Sequence, residues 1–352
     1  MIDSTTKLKA LPVQMIETEQ GVILKRGGME TRIKGEGAAV AVHTILRALI
    51  HQPLTCDEIC QRTAAPDREA MEHLAQQLIE RRILVPGESQ DDDEARESNL
   101  EIFYWHFREQ TKQVNERLND RSLTILGVNH ISRQLVSSLA MAGVDNFQIV
   151  DYPLLRNLRL FDKTATLMSS HWPGTARAPT EFGKWADGLA DNRPGCLIVT
   201  SDFNCREVLR DWNRICVKLH IDLLPVVLHD LIGHVGPLVV PGETACFECL
   251  YARQNSHLSD LNARRALDEV AFESQVVNGF HPSMASMLAD IALLELTKFY
   301  GGLPSIGRIG TLIEADFLTM EMHTHKPLKI PRCPVCSSLL QRSSMNYRKP
   351  SL

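Results

Sequence analysis

The chain has 352 residues, of which 44% are hydrophobic and 23% are charged, and this composition is typical of a soluble globular protein with two or three domains. The net charge of −5 gives no general reason to expect a nucleic acid or an anionic membrane as a partner. The sequence shows no basic and apolar amino-terminal signal and no apolar run long enough to cross a membrane, so we expect a cytoplasmic protein.

The first 87 residues combine short strand patterns with three helix patterns. Together they are typical of a winged helix-turn-helix domain. A Gly27-Gly28 turn separates the second strand from the third. Strands are predicted over residues 11–19, 21–25, 29–34 and 83–85, and helices over residues 38–50, 57–62 and 66–82.

Three uses of this domain can be compared. DNA binding is disfavoured, because residues 1–88 contain eleven Lys and Arg against twelve Asp and Glu, and a phosphate-binding face normally carries a basic excess. Peptide capture is the second use, since an extended peptide could add to the edge of the strand at residues 29–34, beside the third helix. A capping or dimerisation domain is the third.

An acidic segment, ESQDDDEARES, follows at residues 88–98 and is typical of a solvated spacer. Residues 100–118 then predict one amphipathic, aromatic-rich helix that leads into the next domain. The predicted domains are therefore 1–87, a linker and connecting helix at 88–120, and 121–345.

The central region alternates strands with helices, which predicts a mostly parallel, doubly wound sheet with ligands at the carboxyl ends of its strands. Asp151 ends the second strand and could hold a ribose, and Asp202 follows a later strand and could hold a metal or polarise a phosphate. Each carboxylate could instead be a helix cap or a turn residue. Strands are predicted at residues 122–126, 147–151, 196–200 and 223–228, with helices at 131–141 and from Asn204 onward.

The turn after the first of these strands reads Gly127-Val-Asn-His-Ile-Ser132. A nucleotide-binding loop needs repeated glycines so that backbone amides can approach the phosphates. Only Gly127 is present, and Asn129 and His130 carry side chains where a phosphate needs open space. The sequence thus predicts a degenerate nucleotide loop.

Two CxxC pairs give the sharpest chemical signal in the chain. Cys246 and Cys249 form the first pair, and Cys333 and Cys336 form the second. Four thiolates from two such turns complete a closed tetrahedral zinc site, which is structural because no position remains for water or substrate. A disulfide or a redox use is the alternative. The other cysteines, which lie in apolar contexts typical of reduced core residues, are Cys56, Cys60, Cys196, Cys205 and Cys216.

The last third of the chain predicts helices over residues 250–267 and 282–300 and strands over 309–315 and 318–322. His281, His323 and His325 lie in turn-like surroundings and do not predict a second metal site. No Ser-His-Asp order, nucleophile elbow or cysteine with an evident base is present.

These features together resemble the ThiF/MoeB superfamily of ubiquitin-activating-enzyme-like proteins, in which an Asp-x-Asp…Asn-Leu-x-Arg-Gln motif binds ATP and four cysteines hold a zinc ion. Asp151-Tyr-Pro153 and Asn157-Leu-Arg159 resemble a worn copy of that motif. Asp202 lies where the superfamily carries its metal-binding aspartate. The resemblance implies a structural zinc ion and raises the question of ATP and magnesium binding at Gly127, Asp151, Asn157 and Asp202.

The more specific resemblance is to a branch found in gene clusters for ribosomal peptide natural products, whose members bind a leader peptide and partner YcaO cyclodehydratases. The phrases at residues 239–250, 281–282 and 325–336 resemble it. It implies an amino-terminal peptide recognition element, a precursor peptide and a YcaO-type enzyme as partners, and a homodimer. The residues expected to contact the leader are Met29, Thr31, Arg32, Ile33, Lys34, Met71, Leu74 and Leu78.

Within this branch the YcaO subunit activates the peptide amide and its partner supplies the substrate, which agrees with the degenerate loop. Relatives that resemble microcin or pantocin synthetases instead activate a carboxylate or amide of the bound peptide with ATP. In that alternative Asp202 would be catalytic. The sequence therefore predicts a leader-binding partner subunit, with a standalone ATP- and magnesium-dependent enzyme as the alternative.

Overall fold

The computed structural model describes residues 5–50, 52–62, 68–87, 98–173, 178–260, 262–263, 266, 279–303 and 309–337. The chain divides into two compact units, Met1–Thr111 and Lys112–Leu352. Each unit has its own hydrophobic core. The described part of the chain contains no helix that is long and apolar enough to cross a membrane.

Unit 1 contains a three-stranded antiparallel sheet and a separate two-stranded ladder. The sheet has the order β2-β3-β4, and β1 pairs with β5. Residues 11–19 are predicted to form one strand, but the strand begins only at Gln14. Pro12, which has no N–H to donate to a ladder, lies in the segment before it. The elements are β1 (Leu8–Ala10), β2 (Gln14–Thr18), β3 (Gly21–Arg26), β4 (Met29–Lys34), α1 (Ala38–Ala48), α2 (Cys56–Arg62), α3 (Arg68–Glu80), β5 (Leu84–Pro86) and α4 (Asn99–Trp105).

The core of unit 1 lies between its sheet and its helices. Val22 and Leu24 alternate along β3 and are both 1% exposed, so one face of the sheet is buried. On α3, Met71, Leu74 and Leu78 are 6%, 8% and 0% exposed and belong to this core. The apolar stripe of α3 thus packs into the core, and the contact of these residues with a leader peptide stays a prediction. Strands and helices occur as predicted, and the winged helix-turn-helix assignment remains a prediction.

The single helix expected over residues 100–118 is two helices. Arg108 adopts a left-handed backbone conformation with φ +65°, which ends the first helical segment. The carboxylate of Glu101 then accepts hydrogen bonds from the N–H and the hydroxyl of Thr111, at 2.9 and 2.6 Å, and caps the start of the second. The aromatic pattern predicted the helical segments but not the turn between them.

Unit 2 is built on an eight-stranded mixed sheet with the order β13-β12-β11-β10-β9-β6-β7-β8. Strands β10, β9, β6, β7 and β8 are parallel, and β10 to β13 are antiparallel. Its elements are α5 (Thr111–Asn119), β6 (Leu123–Leu126), α6 (His130–Met141), β7 (Phe147–Asp151), β8 (Thr180–Glu181), α7 (Phe182–Asp187), β9 (Cys196–Ser201), α8 (Arg206–Leu219), β10 (Asp222–His229), β11 (Ile232–Val235), α9 (Phe247–Ser256), α10 (Pro282–Tyr300), β12 (Leu312–Asp316) and β13 (Glu321–His325).

The parallel part of the sheet follows the prediction closely, because every residue of β6 and β9 is buried, as continuous apolar runs require. The antiparallel part does not. β11 was not predicted, and the strand expected at residues 318–322 lies at Glu321–His325. Asp316 accepts hydrogen bonds from the N–H groups of Leu318 and Thr319, at 2.8 and 3.1 Å, so this apolar stretch is a turn. The helix predicted over 250–267 ends at Ser256, and residues 261, 264–265 and 267 lie outside the described residues.

Neighbouring strands β9, β6 and β7 end at the same edge of the sheet. The loop after β6 begins at Gly127, β7 ends at Asp151, and Asp202 follows β9. Because the strands are parallel, these three residues are brought to one edge, where open α/β sheets bind ligands.

Candidate functional site

Gly127 begins the loop between β6 and α6, and only glycine fits there. Its φ of +110° is strained for any residue with a side chain. A Cβ at this position would lie 2.7 Å from the carbonyl oxygen of Thr200 and 2.9 Å from Cβ of Leu155. The predicted tight turn is present at this edge of the sheet.

Asn129 fills this loop from within. Its side-chain oxygen accepts hydrogen bonds from the N–H groups of Ile131 and Ser132, both at 3.1 Å, and so caps α6. Its side-chain nitrogen donates to the backbone oxygens of Thr200 and Leu155, at 2.8 and 3.2 Å. The residue is fully buried. Asn129 thus bridges three segments through the space that a phosphate would need.

The remaining amide at the start of α6 is also engaged. The N–H of His130 donates to Oδ2 of Asp202 at 3.0 Å, and Nδ2 of Asn157 donates to the same oxygen at 2.9 Å. A helix binds phosphate through the free N–H groups of its first turn. In this loop the N–H groups of residues 130, 131 and 132 all have protein acceptors.

Asp202 keeps one oxygen unmatched. The residue is 1% exposed, and its Oδ1 is buried without a hydrogen-bond partner among the described residues. Burial raises the pKa of Asp202, and burial likewise lowers the pKa of His130. An orphaned carboxylate oxygen is a fitting ligand for Mg²⁺, although that ion prefers several oxygens in an octahedral arrangement.

The carboxylate of Asp151 is bound by Arg156, a residue that the sequence pattern does not single out. Both of its carboxylate oxygens accept hydrogen bonds from Arg156, at 2.6 and 2.7 Å, in a bidentate ion pair. The Arg156 guanidinium also lies over the ring of Phe161, 4.9 Å from its centroid. A ribose at Asp151 would have to displace this pair. No spacing rule would have found it, because a 3₁₀ turn over Pro153–Leu155 brings the two residues together.

The rest of the ATP motif is also altered. Asn157 is in place and binds Asp202, but Pro153 stands where the motif has its second aspartate. Leu160 and Phe161 stand where it has arginine and glutamine, and they are 2% and 8% exposed, so they are core residues. The structure brings Gly127, Asn157 and Asp202 together, but none of the three altered positions carries a charged residue.

The four cysteines of the CxxC pairs meet as predicted. The Sγ of Cys246 lies 3.9 Å from that of Cys249 and 3.6 Å from that of Cys333, and the Sγ of Cys249 lies 3.5 Å from that of Cys336. All four sulfurs lie within 4.8 Å of one another. A tetrahedral zinc ion with Zn–S bonds of about 2.3 Å places its sulfurs about 3.8 Å apart. The thiol set therefore fits a four-cysteine zinc ion.

The cluster joins the start of α9 to the segment after β13. Cys246 precedes the first residue of α9, and the N–H of Ile330 points at Sγ of Cys249, 3.4 Å away. Hydrogen bonding from Cys246 and from Ile330 lowers the pKa of Cys249 to about 5, which favours the thiolate that binds metal. Between the first two cysteines, Glu248 forms a bidentate ion pair with Arg210 of α8, at 3.0 and 2.9 Å. Sequence reasoning missed that pair, which ties α8 to the metal-binding turn.

Of the five remaining cysteines, four are buried as predicted. Cys196 and Cys216 are fully buried, Cys205 is 3% exposed and Cys60 is 8% exposed, whereas Cys56 is half-buried. No disulfide occurs among the described residues, which include all nine cysteines.

The predicted peptide-binding strand, β4, lies at an edge of the sheet of unit 1. It pairs with β3 and has no second partner strand among the described residues. Met29, Arg32 and Lys34 are exposed, and Thr31 and Ile33 are half-buried. The residues predicted from this strand are therefore accessible, in contrast to those predicted from α3.

Residues 197–335 match the model of the ThiF family. The matched residues lie within unit 2, so this part of the chain is similar to the ThiF family. This confirms the family resemblance and the Rossmann-like fold class expected from the strand order and the four cysteines. No curated relative matches the chain by sequence.

Solved structures with the same fold include MccB of E. coli. MccB in complex with N-formylated MccA, described as the microcin C7 biosynthetic enzyme, matches with a TM-score of 0.67 and 16% identity, over 94% of this chain and 100% of that one. MccB with ATP matches with a TM-score of 0.65 and 17% identity over the same shares. A heterocyclase in complex with substrate and cofactor matches with a TM-score of 0.60 and 16% identity, over 99% of this chain and 42% of that one. These likenesses show a fold that this chain shares with MccB and with part of the heterocyclase.

Proposed function

We propose that this protein binds the leader of a ribosomal precursor peptide and presents it to a YcaO-type modifying enzyme, without using ATP itself. The observation that carries the proposal is the closed loop at the start of α6. Each of its first three amides already has a protein acceptor, supplied by Asn129 or Asp202. A triphosphate would have to break these hydrogen bonds before it could form its own.

The Asp151–Arg156 pair adds to this argument. Releasing Asp151 for a ribose would break a bidentate pair whose side chains are only 18% and 23% exposed. Removing one partner of a partly buried ion pair leaves the other charge poorly solvated. The free-energy cost of that is larger than the stabilisation that an exposed ion pair gives. The loop amides and the carboxylate of Asp151, which would contact a nucleotide, thus all have hydrogen-bond partners within the protein.

The leader would bind along β4. In an antiparallel edge strand alternate residues turn their N–H and C=O groups outward, where an added strand can pair with them. The exposed side chains of this strand carry both charges: Arg32 lies 3.6 Å from Glu30, and Lys34 has no such acidic neighbour in the strand. Main-chain pairing would supply affinity, and these side chains would select the sequence.

The named structures agree with peptide binding, whereas the structure of MccB with ATP is of the kind that the second candidate below requires. MccB occurs in complex with MccA, and the heterocyclase occurs in complex with its substrate. This chain shares their fold over nearly its whole length. The proposal extends to a structural zinc ion at the four cysteines and to a homodimer, which sedimentation of the purified protein would test.

The test is calorimetry with the leader segment of the precursor peptide encoded beside this chain's gene. We expect micromolar or tighter affinity, together with slower amide exchange over residues 29–34 and no change over residues 14–18. Thr31→Pro and Arg32→Pro form a matched pair, because one of these neighbours points its N–H outward and the other toward β3. The proline variant of the residue whose N–H points outward should lose affinity for the leader, while its unfolding temperature should equal that of the wild type. Absence of heat with the leader would contradict the proposal.

The second candidate is a standalone ATP- and magnesium-dependent enzyme that activates a carboxylate or amide of the bound peptide. The unmatched Oδ1 of Asp202 favours it, as a buried oxygen that a metal ion could satisfy. In that case the purified protein with peptide, ATP and Mg²⁺ should release pyrophosphate or phosphate, and Asp202→Asn should abolish the release. Turnover by the protein alone would replace the first proposal with this one.

A further inference from the structure

A second opening lies at the same edge of the sheet of unit 2, one strand away from the closed loop. The cavity has a volume of about 210 Å³ and sits at the carboxyl end of β10, beside β9. Because β9 and β10 are parallel, this is again the edge where open α/β sheets bind ligands. Its walls come from β10, β11, α8 and α9 and include Val227, Leu209, Phe247, Leu250, His234 and Gln254.

His234 is the polar group that the fold orients in this cavity. It lies on β11 directly opposite Glu314 of β12, and its Nε2 is 3.2 Å from Oε2 of that carboxylate. The hydrogen bond from His234 lowers the pKa of Glu314, which keeps the carboxylate ionised as an acceptor. Because Nε2 faces this carboxylate, Nδ1 is the ring nitrogen left for another hydrogen bond. Glu314 does not line the cavity, so it holds the ring from behind.

Size and lining together define the ligand. An apolar cavity of about 150 Å³ holds a benzene molecule. The cavity at β10 is larger, at about 210 Å³, and has room for a ring with one substituent. The apolar side chains of its lining suit the ring, and the imidazole of His234, placed by Glu314, can form a hydrogen bond with a hydroxyl.

We propose that this cavity binds a phenolic group, with its ring against Val227, Phe247 and Leu250 and its hydroxyl donating to His234. A phenol could come from a tyrosine of the precursor peptide or from a free small molecule. The tyrosine source rests on the proposed function and deepens it, because a ThiF-like subunit would then hold part of the peptide being modified. The phenol site itself does not depend on leader binding.

The first experiment uses the full-length, zinc-loaded protein with p-cresol and toluene, measured by ligand-observed NMR. We expect both to bind and p-cresol to bind about fivefold tighter, since one hydrogen bond adds about that factor. His234→Leu should abolish the preference while toluene still binds. Gln254→Trp should block both ligands, whereas Ala252→Trp, on the exposed face of α9 and outside the cavity lining, should leave both unchanged. Failure of p-cresol to bind the wild type, or a preference that persists in His234→Leu, would overturn the proposal.

The second experiment separates the two sources of the phenol. Ac-Gly-Tyr-Gly-NH₂ should displace p-cresol, and Ac-Gly-Phe-Gly-NH₂ should be about fivefold weaker. Binding of p-cresol with no displacement by the tyrosine peptide would refute the peptide source. Leader affinity is measured on the same Gln254→Trp variant and should be unchanged, so that a failure of the cavity and a failure of leader binding give different results.

Discussion

The four-cysteine cluster and the loop at Gly127 both gather polar groups in the same unit, and they differ in what these groups already contact. The four thiols contact one another, and the backbone N–H of Ile330 points at Sγ of Cys249. The three loop amides each have a protein acceptor. Buried polar groups without matched partners are costly, so the cysteine cluster fits a metal ion, whereas among the described residues the loop amides are already matched and Oδ1 of Asp202 beside them is not.

The difference teaches that family motifs can decay by internal substitution rather than by loss of the fold. Gly127 still makes the turn, and Asp202 and Asn157 still meet beside it. Asn129 and Arg156, however, bind the groups that a nucleotide would otherwise bind. The fold is therefore kept, while the groups that would contact a nucleotide form hydrogen bonds with other residues of the protein.

The largest effect should come from breaking the zinc cluster. Cys333→Ala removes a ligand that is 1% exposed, and we expect zinc to be lost and unit 2 to lose at least about 4 kcal/mol in free energy of unfolding. Cys216→Ala is the matched control, since that thiol is fully buried but outside the cluster. It should keep its zinc and cost about 1 kcal/mol. Metal analysis and thermal unfolding check both, and equal effects of the two changes would contradict a metal role.

The next largest effect on stability should come from changing Gly127, which makes the tight turn of the loop after β6. Gly127→Ala places a Cβ against the backbone of Thr200 at a φ of +110°, so we expect a loss of about 3 kcal/mol in urea unfolding. Gly242→Ala has a similar φ, +88°, but open space around it, and should cost about 1 kcal/mol. A Gly127→Ala protein as stable as the control would show that the loop can rearrange.

Asn129→Ala sharpens the comparison within the loop. It removes the cap of α6 and the bridge to β9, and we expect a loss of about 2 kcal/mol in free energy of unfolding. Ser132→Ala removes the hydrogen bond that its hydroxyl accepts from the N–H of Asn129 and the one that it donates to the carbonyl oxygen of Asn129, and it should cost about half as much. If Asn129→Ala proved neutral, the loop would not depend on the hydrogen bonds that close it.

The smallest effect is the pH dependence that Asp202 adds. Burial raises its pKa above the ordinary value, so the folded protein holds this proton more tightly than the unfolded chain does. The contribution of Asp202 to stability should therefore fall as the pH rises above about 4, where the unfolded carboxyl ionises. Asp202→Asn cannot ionise, so the stability of the wild type relative to this variant should decrease from pH 4 to pH 7. A relative stability that increases over this range would mean that the carboxylate is stabilised by its environment.

Much of the fold could be predicted from local patterns. The parallel strands are continuous apolar runs, and the cysteine spacing carries the metal site, because a CxxC turn fixes both thiols almost independently of the rest of the chain. Gly127 was recognisable for the same reason, as a glycine between a strand and a helix. The half-exposed antiparallel strands were less predictable: β11 is four residues long, and the exposed Leu318 and Met320 resembled a strand but form a turn.

The polar contacts of the site could be predicted least. Asn129 was recognised as an obstacle to phosphate, but its bridge to Thr200 joins residues 71 positions apart. The Asp151–Arg156 pair depends on a 3₁₀ turn, and the Arg210–Glu248 pair depends on the packing of two helices. For the α3 residues, an apolar stripe predicts a buried face without stating whether a core or a ligand covers it, and the structure places them in the core.

The most direct test of the central claim is paired calorimetry on the wild-type protein, with the leader peptide in one titration and ATP with Mg²⁺ in the other. If the loop is closed by Asn129 and Asp202, the leader binds and ATP gives no heat, with or without bound leader. ATP binding at micromolar concentration to the wild type would contradict the account, since it would show that a nucleotide displaces these hydrogen bonds readily.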